Sequence, residues 1–287
     1  MSRRRVDERL FLRLPNDPPC TPETTVPRCT LGEFAVPGAL RSTVKHVTAY
    51  EESFAPGVEV SERVLPDGAS RLLVLFQEGT ASVRIAGASA SPVVLTMRGH
   101  VQGLSLTLGP GATLTLFGVP AHELAGRTVA WEDVARPSHR TLPEQLAEAA
   151  TAARCTDLIF RSLRELRRPF GMDAHRRLEQ LTAAPAGMVV RALAAEMGLS
   201  ERRLQQLFAE HIGLTPVTWR RLQRLHATLR ILRTAESAPW VDVALRGGYY
   251  DQSHLINEFR ALCGLTPKEF VRRRVSESSN TAARQRG

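Results

Sequence analysis

The feature that most constrains this chain is a duplication in its C-terminal third. Leu204, Phe208, Gly213, Leu214, Thr215, Pro216 and Arg221 recur 51 residues later as Leu255, Phe259, Gly264, Leu265, Thr266, Pro267 and Arg272. Ahead of them, Ala194 and Gly198 recur 50 residues on as Ala244 and Gly248. The one-residue difference falls in a turn, where an insertion disturbs packing least. Each unit reads as helix, tight turn, helix. In the first, Val190, Leu193, Ala194 and Met197 form an apolar face. Gly198 then ends the helix, and Ser200 is a good N-cap for the next. Leu204, Leu207 and Phe208 follow at helical spacing and face a core. In the second unit, Val241, Ala244 and Leu245 are expected to pack the first helix, and Gly247 and Gly248 to end it. Asp251 is the cap of the next helix, and Leu255, Ile256 and Phe259 are its apolar face. Gly-Leu-Thr-Pro closes each second helix and opens another, with Pro in a first-turn position.

Between the units the pattern predicts a long helix from about Pro216 to Thr234, with Trp219, Leu222, Leu225, Leu229 and Leu232 along one face. At about 1.5 Å per residue it is roughly 28 Å long. Two reading helices so separated lie near one turn of B-DNA apart, about 34 Å. The positions that would face duplex DNA are the non-core ones near the start of each second helix. They are Arg202, Arg203, Gln205 and Gln206 in the first unit, and Gln252, Ser253 and Asn257 in the second. Arg, Gln and Asn present paired donors and acceptors that match guanine or adenine edges.

The charge fits such a partner but does not by itself decide it. The formal net charge is +9, and only Lys45 and Lys268 among the 38 basic residues are lysines. Arginine suits phosphate and base-edge contacts, but a GC-rich gene also inflates arginine everywhere. The 287 residues suffice for two domains. No apolar signal core follows the N-terminal Met-Ser-Arg-Arg-Arg, and no run reaches the length of a membrane span, so a soluble, cytoplasmic chain is expected.

The residues ahead of the duplication divide by pattern. Residues 1–40, rich in Pro, Thr and Arg, are expected to be irregular. Residues 41–137 read as a β-rich domain, a barrel or sandwich. Leu72 to Phe76 is an apolar run of strand length. Leu104, Leu106 and Leu108 alternate with polar residues, and so do Leu114 and Leu116. Turn signals at Pro66-Asp67-Gly68 and Gly109-Pro110-Gly111 separate the runs. Residues 138–171 turn helical and read as a linker. Leu142-Pro143-Glu144 starts one helix, with Leu146, Ala149 and Ala150 on a face, and Leu158, Ile159, Leu163 and Leu166 mark another. Pro169-Phe170-Gly171 breaks the second. Residues 172–274 hold the two helix-turn-helix units, and 275–287 form a disordered tail. The predicted fold class is α+β: a β-rich N-terminal domain, a helical linker and an all-α C-terminal domain.

Chemistry other than binding has little support. Cys20, Cys29, Cys155 and Cys263 are far apart, with no zinc-ribbon spacing. His46, His100, His122 and His139 are scattered. Glu51-Glu52 and Glu132-Asp133 read as solvated surface, and Gly109-Pro110-Gly111 lacks the lysine and helix of a phosphate loop. No catalytic residue, metal ligand or cofactor is expected.

The strings Leu-Ala-Ala-Glu-Met-Gly-Leu-Ser-Glu-Arg-Arg-Leu-Gln-Gln-Leu-Phe from Leu193 and Gly-Gly-Tyr-Tyr-Asp-Gln-Ser-His-Leu-Ile-Asn-Glu-Phe-Arg from Gly247 strongly resemble the AraC/XylS family of bacterial transcription regulators. So does the closing Gly-Leu-Thr-Pro-Lys-Glu-Phe from Gly264. The resemblance covers roughly residues 172 to 274. It implies a seven-helix reader of promoter DNA, with contact to RNA polymerase or a repressor role. The family's base-contacting positions carry over onto Arg202, Gln205 and Gln206, and onto Gln252, Ser253 and Asn257, although the second unit usually has Arg where Asn257 stands. Val64-Leu65-Pro66-Asp67-Gly68 and Leu116-Phe117-Gly118-Val119-Pro120 look like a β-rich domain often fused to such readers, which implies small-molecule sensing or homodimerisation without naming a ligand. A common Phe-Arg-Pro-Gly string of that group is replaced by Leu108-Gly109-Pro110-Gly111. Some members are fused to DNA-repair methyltransferases with a Pro-Cys-His-Arg string, but here Pro19-Cys20 is followed by Thr21-Pro22. The leading expectation is a sequence-specific transcription regulator. The alternative is a small-molecule or protein-interaction module whose C-terminal helices do not read sequence.

Overall fold

The computed structural model describes residues 8–12, 26, 30–168, 172–185, 188–234 and 239–273. Its N-terminal part is built on two sheets. The larger contains β2 (Leu31–Glu33), β3 (Val44–Ser53), β8 (His100–Leu108), β5 (Arg71–Gln77), β6 (Thr80–Ala86) and β9 (Thr128–Ala130), in that order. Period-two alternation places the apolar residues of these strands on one face. Val47, Leu106, Leu72 and Ile85 form one lateral row, cross-strand partners from β3 to β6. All four are buried. The smaller sheet pairs β1 (Arg9–Phe11) in parallel with β4 (Glu59–Val64), whose other edge takes β7 (Val93–Arg98) antiparallel.

Helices close the apolar face of the larger sheet. They are α1 (Ala112–Phe117), α2 (Ala121–Leu124), α3 (Trp131–Val134), α4 (Leu142–Ala147) and α5 (Ala152–Leu166). Leu116, Trp131, Leu142, Leu146, Ile159, Leu163 and Leu166 share one core with the strands. The C-terminal part comprises α6 (Met172–Ala183), α7 (Val190–Glu196), α8 (Glu201–His211), α9 (Pro216–Thr234), α10 (Trp240–Arg246) and α11 (Gln252–Cys263), followed by helical residues 267–273. The molecule is α+β, with a β-rich N-terminal region and a helical C-terminal one.

Several expectations need correction. Leu114 and Leu116 lie on a helix, not a strand. Gly111 enters it with a φ of 76°, and Ala112, Thr113, Leu116 and Phe117 are buried at spacings of three and four. Buried Thr113 and Thr115 supplied the false alternation, and Thr115 hides its hydroxyl in a 2.8 Å hydrogen bond to the Gly111 carbonyl. Within residues 1–40, expected to be irregular, Arg9–Phe11 and Leu31–Glu33 are strands. Residues 138–168, the described part of the expected linker 138–171, do not stand apart: α4 and α5 pack into the β-rich core. Helix α4 ends at Ala147, so Ala149 and Ala150 fall after it. The break at Pro169-Phe170-Gly171, the segment 275–287, and Cys20 and Cys29 lie outside the described residues.

Candidate nucleic-acid interface

The first unit is α7, a turn, and α8. Gly198 takes the left-handed φ of 63° in the turn, a conformation open to glycine at little cost. The Ser200 side chain accepts from the Arg203 backbone N–H at 3.2 Å and caps α8. Leu204, Leu207 and Phe208 turn inward and join Leu178, Leu181, Leu193, Ala194, Ile212 and Trp219 in a core of their own. The opposite face of α8 carries Arg202, Arg203, Gln205 and Gln206, all exposed. Arg203 Nη1 donates to Gln206 Oε1 at 3.4 Å, leaving both at the surface.

The second unit repeats this geometry. Gly248 has a φ of 82° in its turn. Asp251 accepts from the His254 backbone N–H at 2.7 Å and caps α11. Leu255, Phe259, Leu262 and Cys263 face the core, while Ile256 is half-buried. Ser253 and Asn257 are exposed and Gln252 is half-buried at the first position of α11. Helix α10 differs from expectation. Val243 and Ala244 are its buried residues, whereas Val241 and Leu245 are 52% and 60% exposed. With apolar residues at 241, 243, 244 and 245, a helix of two turns offers two stripes, and periodicity alone does not choose between them.

Helix α9 ties the units together. All five expected face residues are buried. Trp219 completes the first core, whereas Leu222, Leu225, Leu229 and Leu232 belong to the second. A polar cluster that the sequence reading did not foresee pins α11 to α9. Glu258 accepts from Arg221 Nε at 2.7 Å and from Arg224 Nη2 at 2.8 Å. Burial raises the Glu258 pKa, but the hydrogen bonds and charges of Arg224 and Arg221 outweigh it, and the carboxyl titrates below its ordinary range. Arg224 also lies 5.7 Å from the centre of the Tyr249 ring. The signal available beforehand was two arginines one turn apart on α9 and a lone carboxylate, Glu258, on α11. Also missed was Tyr250, 87% exposed in the turn just before the α11 cap.

The candidate cysteines are placed as packing residues. Burial pushes the Cys155 thiol up, and its Sγ lies 3.8 Å from the Leu146 carbonyl oxygen. Cys263 is buried in the second unit, and burial raises its thiol pKa further. Thiolate, the reactive form, is disfavoured at both. Among the described residues, no helix is long and apolar enough to cross a membrane.

Comparison with known proteins agrees with the two-part layout. Residues 193–273 match a family described as "Helix-turn-helix domain". Residues 33–130 match a family described as "Domain of unknown function (DUF6597)". No curated protein matches the sequence. Among solved structures, ToxT from Vibrio cholerae is 10% identical, with 78% of this chain and 97% of that chain covered and a TM-score of 0.41. ToxT from Vibrio cholerae O395 bound to (E)-4-(8-methylnaphthalen-1-yl)but-3-enoic acid gives the same identity, coverages and TM-score. Unsaturated-fatty-acid-bound wild-type ToxT from strain SCE256 is 11% identical, covered over 78% and 94%, with a TM-score of 0.38. Likenesses this distant assign no role to any residue. The repeated helix-turn-helix geometry and the family match together place an AraC-type helix-turn-helix domain at the C-terminus of this chain, which is a DNA-binding transcription regulator.

Proposed function

We propose that the protein regulates transcription by reading two successive major grooves of promoter DNA, α8 entering one and α11 the next. The observation that carries this reading is the pairing of two capped helices, each with exposed polar side chains near its start, across one 19-residue helix. In this reading residues 172–274 are the reader, and Arg202, Gln205 and Gln206 contact bases with Arg203 beside them. Gln252, Ser253 and Asn257 take the corresponding places on α11. Residues 41–137 together with 138–171 form the domain through which a small molecule, or a second copy of the chain, modulates the reader. RNA polymerase is the partner on the promoter. Support for a small-molecule site is an open groove of about 360 Å³ lined by Phe34, Val36, Arg41, Val44 and Lys45 among others. Lys45 Nζ also reaches Glu179 on α6 at 3.3 Å, so an anion held in the groove would compete with a contact to the reader.

The decisive experiment is selection of genomic duplex fragments by the purified protein. Enrichment of a bipartite site supports the reading. No enrichment over bulk DNA, with and without added metabolites, supports the module that does not read sequence. On the enriched site, Arg202→Ala is expected to cost about 1–3 kcal/mol and to relax discrimination at one position. An equal loss on every sequence would make Arg202 a phosphate contact. Affinity is also expected to fall steeply with salt, since phosphate contacts release counterions.

A further inference from the structure

The string Val64-Leu65-Pro66-Asp67-Gly68 plays no part in reading DNA, yet it lies where the two halves of the molecule meet. Leu65 is packed in the second unit's core, together with Leu10 of β1 and Leu12 just after that strand. The Pro66 carbonyl oxygen lies 3.2 Å from Nε2 of His226, buried on α9. Gly68 has a φ of 77°, and a Cβ there would come within 2.8 Å of Trp219 Cζ3 and 2.9 Å of Leu222 Cδ1. Trp219 closes the first core and Leu222 opens the second. The turn therefore seats on α9 at the junction of the two units. Asp67 holds it in shape, accepting from the Ala69 N–H at 3.0 Å and from Arg71 Nη2 at 2.5 Å.

The same domain grips both recognition helices at their C-terminal ends. There the last carbonyls lack intrahelical partners and attract donors and cations. The Gly111 N–H donates to the His211 carbonyl at the end of α8 at 2.7 Å. Arg63 Nη1 donates to the Cys263 carbonyl at the end of α11 at 3.4 Å. Glu8 orients Arg63 through two hydrogen bonds of 2.9 Å. Near the starts of the two helices, Arg202, Arg203, Gln205 and Gln206 on α8 and Ser253 and Asn257 on α11 remain exposed.

We infer that the N-terminal domain is a spacing gauge for the reader. Gly68 and Arg63 are positioning residues: by seating the turn on α9 and holding the end of α11, they fix the separation and angle of α8 and α11. They thereby fix the half-site spacing that the protein accepts. This rests on the two-groove reading. Joining two binding units raises affinity only when the link lets both engage at once, so a small misplacement forfeits the bivalent gain without touching a DNA contact.

The test uses the full chain and duplexes carrying both selected half-sites at native separation, at separations changed in single-base-pair steps, and each half-site alone. Gly68→Ala drives a Cβ into Trp219 and Leu222 from a backbone conformation that alanine resists. It is expected to weaken binding at native spacing by about tenfold to a hundredfold. The spacing preference should flatten or shift, with single half-site affinity unchanged. Arg63→Gln, which leaves the turn intact, should move the profile the same way by less, and it decides the matter where Gly68→Ala does not fold. Uniform loss on every duplex, or an unchanged spacing profile in the folded variants, overturns the gauge alone. A wild-type protein indifferent to the second half-site overturns the two-groove reading, and the gauge with it.

Discussion

The two helix-turn-helix units share one sequence pattern but are supported by different neighbours. The first closes its core with residues of the C-terminal region alone, from Leu178 to Trp219. The N-terminal domain reaches its recognition helix through the backbone bond from Gly111 to His211. The second unit takes Leu10, Leu12 and Leu65 into its core. It also has ionic support: Glu8 accepts from both Arg63 and Arg273, and Glu258 from Arg221 and Arg224. A repeated pattern thus specifies a repeated local geometry, whereas the stability of each copy depends on what lies behind it.

The largest test of this difference is truncation of the matched core aromatics, both fully buried. Phe208→Ala and Phe259→Ala should each cost about 3–5 kcal/mol. Hydrogen exchange should show Phe259→Ala also loosening β1, and Phe208→Ala sparing it; loosening of β1 in both would break the comparison.

Next comes pH. Burial raises the Glu62 pKa to about 7; the Arg9 charge opposes that shift and the Glu52 charge adds to it. Its neutral form is favoured in the folded chain, so its contribution is fully present below the unfolded pKa and is lost as pH rises through about 7. Glu62 pairs with Arg9 of β1 in the parallel register. Stability measured by denaturant at pH values bracketing 7 should therefore fall, with exchange rising in β1 before α8, and Glu62→Gln should flatten the trend. A flat wild-type profile would remove Glu62 from the account.

A smaller effect is expected of Glu258→Gln, about 1–3 kcal/mol, because it weakens hydrogen bonds to two arginines in a partly exposed site. The Glu258 carboxyl titrates low, so its contribution is present above the ordinary carboxylate pKa and is lost as acid protonates it. The variant and wild type should converge in acid; a constant gap would assign the loss to packing. The smallest effects, about 1 kcal/mol each, belong to Ser200→Ala and Asp251→Ala, which remove the caps. Thermal melts should rank them close together, since the capping geometry is common to both units.

Much of the reader is legible in the residues because its signals are local. Ser200 and Asp251 cap the next turn, Gly198 and Gly248 permit left-handed backbone, and the 3.6-residue period marks the buried face of α9. Exposure of Arg202, Gln205 and Gln206 follows from the same period once Leu204, Leu207 and Phe208 face inward. Misreadings arose where a local pattern had two solutions. Residues 112–117 are buried almost all round, so their alternation says nothing about period. In α10 the choice between Val241 with Leu245 and Val243 with Ala244 depends on which stripe meets α9 and α11.

The sequence by itself determined the duplicated helix-turn-helix design, its caps and turns, and the length of the helix between the units. These depend on contacts within a few residues, and the chain carries them wherever it goes. Only the tertiary structure decided that Leu10, Leu12 and Leu65 complete the second core, that Arg63 reaches the end of α11, and that the Pro66-Asp67-Gly68 turn seats on α9. Those partners stand up to some 250 positions apart. Such pairings depend on the complementary shapes of two assembled surfaces, which no local pattern records.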